Sequence, residues 1–78
     1  GVAIQSFAIY PNPSAGVFTI ELKNIGNYTL CVIDLLGNNV PFSENGNTVD
    51  LSSLKNGVYF IQIEQNDRVY NKKVMIAR

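Results

Sequence analysis

Turn-forming residues interrupt this sequence about every ten positions, and this spacing constrains the fold more than any other feature. Clusters of Pro, Gly, Asn and Ser occur near residues 11–16, 23–27, 37–39, 45–47, 55–57 and 66–67. The segments between them alternate apolar and polar residues with a period of two, and none has the 3.6-residue period of an amphipathic helix. The sequence therefore predicts an all-β antiparallel sandwich of seven short strands with Greek-key connections.

The predicted strands are residues 2–10, 17–22, 28–36, 40–42, 48–50, 58–65 and 68–77. In the third of these, Cys31 and Ile33 make the second face apolar too, which predicts a strand that is central or covered on both sides. The fourth contains Pro41, which lacks an N–H donor and favours a sheet edge. Asp50 is expected to cap a single helical or 3₁₀ turn that follows it.

Catalytic and metal-binding residue patterns are lacking in the sequence. It contains no histidine and only one cysteine, Cys31, and its six acidic residues are scattered, without an Asp-x-Asp run. A nucleophile–base pair, a zinc site of the usual kind and a calcium loop therefore have no sequence support. We expect a protein that is not an enzyme and carries no cofactor. Apolar runs are far shorter than the ~20 residues of a membrane helix, so membrane insertion is not expected either.

Charge is balanced overall but unevenly distributed. Six basic and six acidic residues give a formal net charge of zero, which argues against nucleic-acid binding. Residues 1–20 carry no charge, whereas four of the six basic residues, Arg68, Lys72, Lys73 and Arg78, follow the last acidic one. These charges favour either a positive strip that a partner contacts or a solvated edge strand protected from aggregation. No signal-peptide pattern is present, so export would depend on a segment upstream of residue 1.

Four blocks of residues carry a family resemblance. They are YPNPSAG at 10–16, which FTI at 18–20 follows, LCVIDLLGNNV at 30–40, DLSSLKNGVY at 50–59 and KKVMI at 72–76. In this order they resemble the C-terminal sorting domain of the type IX secretion system, found at the ends of secreted proteins of Bacteroidota. The resemblance covers about residues 8–78, and the first and third blocks together are its most specific part.

The resemblance implies a seven-stranded immunoglobulin-like sandwich that serves as a sorting signal. Residues 1–78 would form one sorting domain in the C-terminal part of a larger secreted protein. Such a domain directs a folded cargo, already in the periplasm, through an outer-membrane translocon to the cell surface or the extracellular space. A sortase-like peptidase then usually removes it and joins the cargo to a lipopolysaccharide. The implied partners are the translocon, its associated shuttle or sortase-like proteins, and the upstream cargo in the same chain.

The resemblance also implies which residues the translocon recognises. These are Pro11, Asn12, Pro13 and Gly16 in the first turn, Gly37 and Val40 in the middle turn, Gly57 and Tyr59 in the third block, and Lys72, Lys73 and Arg78 at the end. Tyr59 is also expected to be a corner residue with a buried ring and a bonded hydroxyl. Asn38 departs from the family, which commonly has Lys or Arg there.

Three alternatives stay open at this stage. The domain could be retained, uncleaved, as an interaction module of a cell-surface protein. It could instead be an accessory module that binds carbohydrate or protein through tyrosine rings exposed on one sheet face. A homodimer formed by pairing of edge strands is a further alternative, because an exposed edge is a template for another strand.

Overall fold

The computed structural model describes residues 6–23 and 27–78. Its strands are β1 (Ser6–Tyr10), β2 (Val17–Lys23), β3 (Thr29–Asp34), β4 (Ser43–Asn45), β5 (Thr48–Asp50), β6 (Gly57–Gln65) and β7 (Arg68–Ile76). They form a four-stranded sheet in the order β1-β2-β5-β4 and a three-stranded sheet in the order β3-β6-β7. All neighbouring strands are antiparallel. The all-β class is confirmed, and residues 2–5 of the first predicted strand lie outside the described residues.

Both sheets contribute to one apolar core. The buried residues are Ile9, Phe18, Ile20, Val32, Val49, Leu51, Tyr59, Ile61, Ile63, Val74 and Ile76. Alternate positions point the same way, so Phe18 and Ile20 of β2 pack on the same side, as do Ile61 and Ile63 of β6. Burial of each large apolar side chain contributes about 1.5–3 kcal/mol. The period-two pattern in the sequence thus identifies the core faces of these strands correctly.

The position predicted for β3 is wrong, because β3 lies at an edge of its sheet and β6 is the central strand. The second apolar set of β3, Cys31 and Ile33, is half-buried. Ile33 lies opposite Phe60 of β6, and cross-strand neighbours of this kind shelter apolar side chains without a covering layer. Sequence alternation reports how apolar a face is, but it does not report the order of strands in the sheet.

The turn after β3 begins earlier than predicted. Asp34 ends the strand, because its Oδ1 accepts hydrogen bonds from the N–H groups of Leu36 and Asn38, both at 2.9 Å. Its carbonyl accepts a further bond from the Gly37 N–H at 3.0 Å. Leu35 and Leu36, predicted to lie in the strand, are therefore exposed in the turn, at 67% and 86%. A carboxylate that competes for nearby backbone donors favours a turn over a continued strand.

The short strand predicted at residues 40–42 is also wrong. The edge strand of the four-stranded sheet is β4, which begins after Pro41 and Phe42. After Asp50 the chain makes one turn that is not helical: the Ser52 N–H bonds Asp50 Oδ1 at 2.8 Å, so Asp50 caps it as expected. The hairpin predicted at Asn66 and Asp67 is confirmed, with φ angles of 52° and 62°.

Candidate functional site

The loop after β1 closes part of the free edge of β7. The Asn12 Nδ2 donates to the Lys73 carbonyl at 2.9 Å, and the Met75 N–H donates to Asn12 Oδ1, also at 2.9 Å. One side-chain carboxamide therefore makes the two bonds that a peptide group of a neighbouring strand would make. Pro11 and Pro13, on either side of Asn12, are exposed, and the peptide bond before each is cis.

Ser14 continues this edge closure through its backbone. Its N–H donates to the Met75 carbonyl at 3.0 Å, and its carbonyl accepts from the Ala77 N–H at 2.9 Å, as in a parallel bridge. The buried Ser14 hydroxyl donates to the Val17 carbonyl at 2.6 Å and accepts from the Gly16 N–H at 3.1 Å. Sequence reasoning missed Ser14. Its signal is a hydroxyl residue directly after a turn proline, which favours local side-chain-to-backbone bonds.

Gly16 brings the first block against the third. Its φ is +143°, and a Cβ placed there would lie 2.8 Å from the Ser52 Cα. Its carbonyl accepts a hydrogen bond from the Leu51 N–H at 2.7 Å. Glycine is required here both by the backbone angle and by the close approach of a second backbone.

Arg78 ties the end of the chain to the same loop. Its Nη2 donates to the Ser52 carbonyl and its Nη1 to the Leu54 carbonyl, both at 2.7 Å. Its backbone N–H donates to Asn56 Oδ1 at 3.2 Å. We call the assembly of residues 12–16, 52–56 and 73–78 the terminal junction. It joins the first, third and last sequence blocks through hydrogen bonds.

The middle block forms a separate feature. The exposed Gly37 adopts a φ of +86° in the turn, and the half-buried Val40 donates its N–H to the Val32 carbonyl at 2.9 Å. The turn holds Asn38 by its backbone, since the Asp34 N–H also donates to the Asn38 carbonyl at 3.0 Å. A different side chain at position 38 therefore leaves these backbone bonds available.

An open groove of about 520 Å³ lies between this middle turn and the segment that leads into β6. Gly57 and Tyr59 line it, together with Leu35, Leu36 and Val40. The Tyr59 ring is buried, and its hydroxyl donates to the Lys55 carbonyl at 2.8 Å, as expected for a corner residue. Residues of the second and third blocks thus line the same groove. Asn12 and Lys73 are not among the residues that line it.

The two adjacent lysines do not form one positive strip. Successive residues of a strand point to opposite faces, so Lys72 and Lys73 diverge. The Lys72 Nζ lies 5.4 Å from the centre of the Phe7 ring, a cation–π distance, and Phe7 packs edge to face with Tyr70. The structure therefore separates the charges that the sequence places together.

The titratable groups whose pKa values are shifted also lie at separate places in the fold. Hydrogen bonds from Ser52 lower the pKa of Asp50, the bond to Glu21 raises the pKa of Tyr10, and burial raises the pKa of Tyr28. Within residues 6–23 and 27–78 no cluster of potential metal ligands occurs. The same residues contain no helix that is long and apolar enough to cross a membrane.

The fold and the contacts described above define a small all-β domain. Its motif residues fix the backbone conformation of the turns and close part of the edge of β7. The chain belongs to the secretion system C-terminal sorting domain family, whose model matches residues 8–77. It is 40% identical over 73 residues to an endo-acting ulvan lyase of Formosa agariphila, covering 87% of this chain and 14% of that protein. It is 33% identical over 78 residues to ulvan lyase NLR42 of Nonlabens ulvanivorans, covering 94% of this chain and 15% of that protein.

The family gives the domain its function: it is a sorting signal for type IX secretion. The chain spans only about one seventh of the length of these two relatives. The lyase names describe proteins that are much larger than this chain, and the sorting domain itself is non-catalytic. Export to the cell surface or the extracellular space follows from the family, and so does a cargo domain upstream in the same chain.

Proposed function

We propose that residues 1–78 form one immunoglobulin-like Greek-key domain that carries a folded cargo from the periplasm through the outer-membrane translocon. The observation that supports this proposal best is the terminal junction. It holds the first, third and last blocks in one bonded arrangement, so that a receptor meets a fixed shape. Asn12, Gly16 and Arg78 act in it chiefly by setting backbone geometry, whereas Lys72 and Lys73 present charge.

After translocation, the proposed fate of the domain is cleavage by a sortase-like peptidase and replacement by a lipopolysaccharide anchor. The retained form is the alternative, and an intact-mass measurement on the surface-located parent protein separates the two. A mass without these residues and with added lipopolysaccharide supports cleavage. The mass of the uncleaved chain contradicts it.

A fusion experiment tests the sorting function directly. Residues 1–78 are placed after a signal peptide and an inert fluorescent reporter in a bacterium with a working type IX system. We expect the reporter at the cell surface or in the medium, where added protease can reach it. The matched control lacks residues 1–78 and should stay in the periplasm. Periplasmic retention of the complete fusion would contradict the proposed function.

The carbohydrate-binding alternative receives no support from the tyrosines. Such a site needs rings exposed on one face, but Tyr59 is buried, Tyr28 is partly buried against the core, and Tyr70 packs against Phe7. Tyr10, which is 45% exposed, lies on the other sheet and donates its hydroxyl to Glu21. The tyrosine rings therefore do not lie together on one exposed face and do not suggest a stacking platform for a sugar.

A further inference from the structure

The edge of β7 is closed along only part of its length. Asn12 and Ser14 bond the outward backbone groups of Lys73, Met75 and Ala77. Outward groups alternate along a strand, so Val69 and Asn71 direct their N–H and C=O groups to the same side, and Lys73 directs its N–H there. Within the described part of the chain, no strand lies beside β7 at these positions.

The charge and exposure around this open stretch restrict what can bind there. β7 contains Arg68, Lys72 and Lys73 and no acidic residue. Lys72 and Lys73 lie on opposite faces, so positive charge flanks the edge on both sides. Val69 is 50% exposed and offers an apolar contact beside the open backbone groups. An extended segment with acidic residues on both faces matches these features.

We propose that residues 69–73 of β7 are a strand-addition site for an extended acidic segment of a partner protein. Backbone hydrogen bonds supply the affinity in this mode of recognition, and alternate side chains supply the selectivity. Asn12 and Ser14 end the site at Lys73 and so fix the register of the added strand. The identity of the partner rests on the proposed function: it is the component of the export machinery that receives the signal.

A second copy of this chain fits the edge less well. Pairing two β7 strands would place three basic residues from each copy in one ribbon, without an acidic residue to offset them. Like charges on neighbouring strands destabilise the pairing. The bonds from Asn12 and Ser14 also occupy the edge beyond Lys73, which limits the length of a symmetric ribbon.

Two variants at Asn71 test the site. Asn71→Pro removes the outward N–H and leaves the bonds to β6, because the neighbouring residues make those. Asn71→Ala is the matched control, because both variants lose the bond between Asn71 Oδ1 and Gln62 Nε2. The probe is a seven-residue peptide with two pairs of adjacent glutamates separated and flanked by single valines, so that each face of the strand carries glutamate, and it is added to the full ¹⁵N-labelled chain. Slow exchange of the Val74 amide, which faces β6, verifies that each variant is folded.

We expect the peptide to perturb the amides of Val69, Asn71 and Lys73, and to leave those of Met75 and Ala77 unchanged. Its affinity for Asn71→Pro should be at least tenfold weaker than for Asn71→Ala, and a lysine–valine peptide should not bind. Equal affinity for the two variants overturns the proposal, as does perturbation confined to other residues. Dimerisation through this edge in sedimentation measurements would assign it to a second copy and also overturn the proposal.

The reporter fusion separates this inference from the proposed function. Delivery of the wild-type and Asn71→Ala fusions with retention of Asn71→Pro supports strand addition during export. Equal delivery of all three overturns strand addition and leaves the sorting function intact. If the wild-type fusion is retained, the sorting function fails, and the peptide measurement still decides whether the edge accepts a strand.

Discussion

At the residue scale, Gly16 combines two constraints that the sequence reveals only in part. A glycine after Pro-Asn-Pro predicts a turn, and the positive φ agrees with that prediction. Its approach to the Ser52 backbone depends on how the chain folds between two residues that are 36 positions apart, and no local pattern encodes such a contact. The structural role of Gly16 therefore comes from long-range packing as well as from turn geometry.

We predict that Gly16→Ala lowers the free energy of unfolding by about 2–4 kcal/mol, from backbone strain and overpacking together. The control is Gly46→Ala, because Gly46 has a φ of +61° and no atom within 4 Å of a built Cβ. That variant should lose only the strain contribution, about 1–2 kcal/mol. Urea unfolding of both chains measures the difference. Equal losses would show that the contact with Ser52 is unimportant.

Asp50 makes the stability of the fold depend on pH in the acidic range. Its pKa is lowered from the ordinary value of 3.8 by the Ser52 hydroxyl and N–H. The carboxylate therefore stabilises the fold above that value, and this contribution is lost as the pH falls through the lowered pKa. We predict that the stability difference between wild type and Asp50→Asn shrinks from pH 5 to pH 2, as followed by urea unfolding. Ser52→Ala, which keeps the backbone bond, should show a smaller change with pH than wild type. A constant difference between wild type and Asp50→Asn would contradict this account.

At the element scale, the most informative contact is between a loop and a strand edge. Asn12→Ala leaves the Lys73 carbonyl and the Met75 N–H without their partner. We predict a loss of about 1–2 kcal/mol in unfolding free energy and faster hydrogen exchange at the Met75 amide. Asn12→Asp keeps the acceptor for Met75 and loses the donor to Lys73, so Met75 should stay more protected than in Asn12→Ala. Equal protection in both variants would argue against the edge contact.

The alternation of apolar and polar residues along single strands predicted six of the seven strands and missed β4. It did not predict how the strands are arranged relative to one another. The core faces of β2 and β6 follow from period-two patterns, because burial on one side of a strand is a local property. The edge position of β3 depends on which strand lies beside it. The early turn at Asp34 depends on a side chain bonding backbone groups two and four residues ahead, a competition that hydrophobic patterning does not register.

At the scale of the whole molecule, the sequence blocks form two surfaces that share residues 53–56. The first, third and last blocks meet in the terminal junction, and the middle block shares its groove with the start of β6. Removing residues 72–78 would also remove Val74 and Ile76 from the core, so a truncated chain that fails to be exported would not distinguish a lost signal from a lost fold. Point variants on the surface of the junction make this distinction.

Arg78 offers the clearest such variant, because charge and geometry can be separated there. Its guanidinium spans two carbonyls, those of Ser52 and Leu54, and a lysine ammonium, a compact charge, does not reproduce this fork. We predict that Arg78→Lys and Arg78→Ala both lose about 1–2 kcal/mol of unfolding free energy. Both should reduce surface delivery of the reporter similarly, because Arg78 acts by positioning the junction. Restoration of delivery by Arg78→Lys, with stability still reduced, would show instead that a partner reads the positive charge itself.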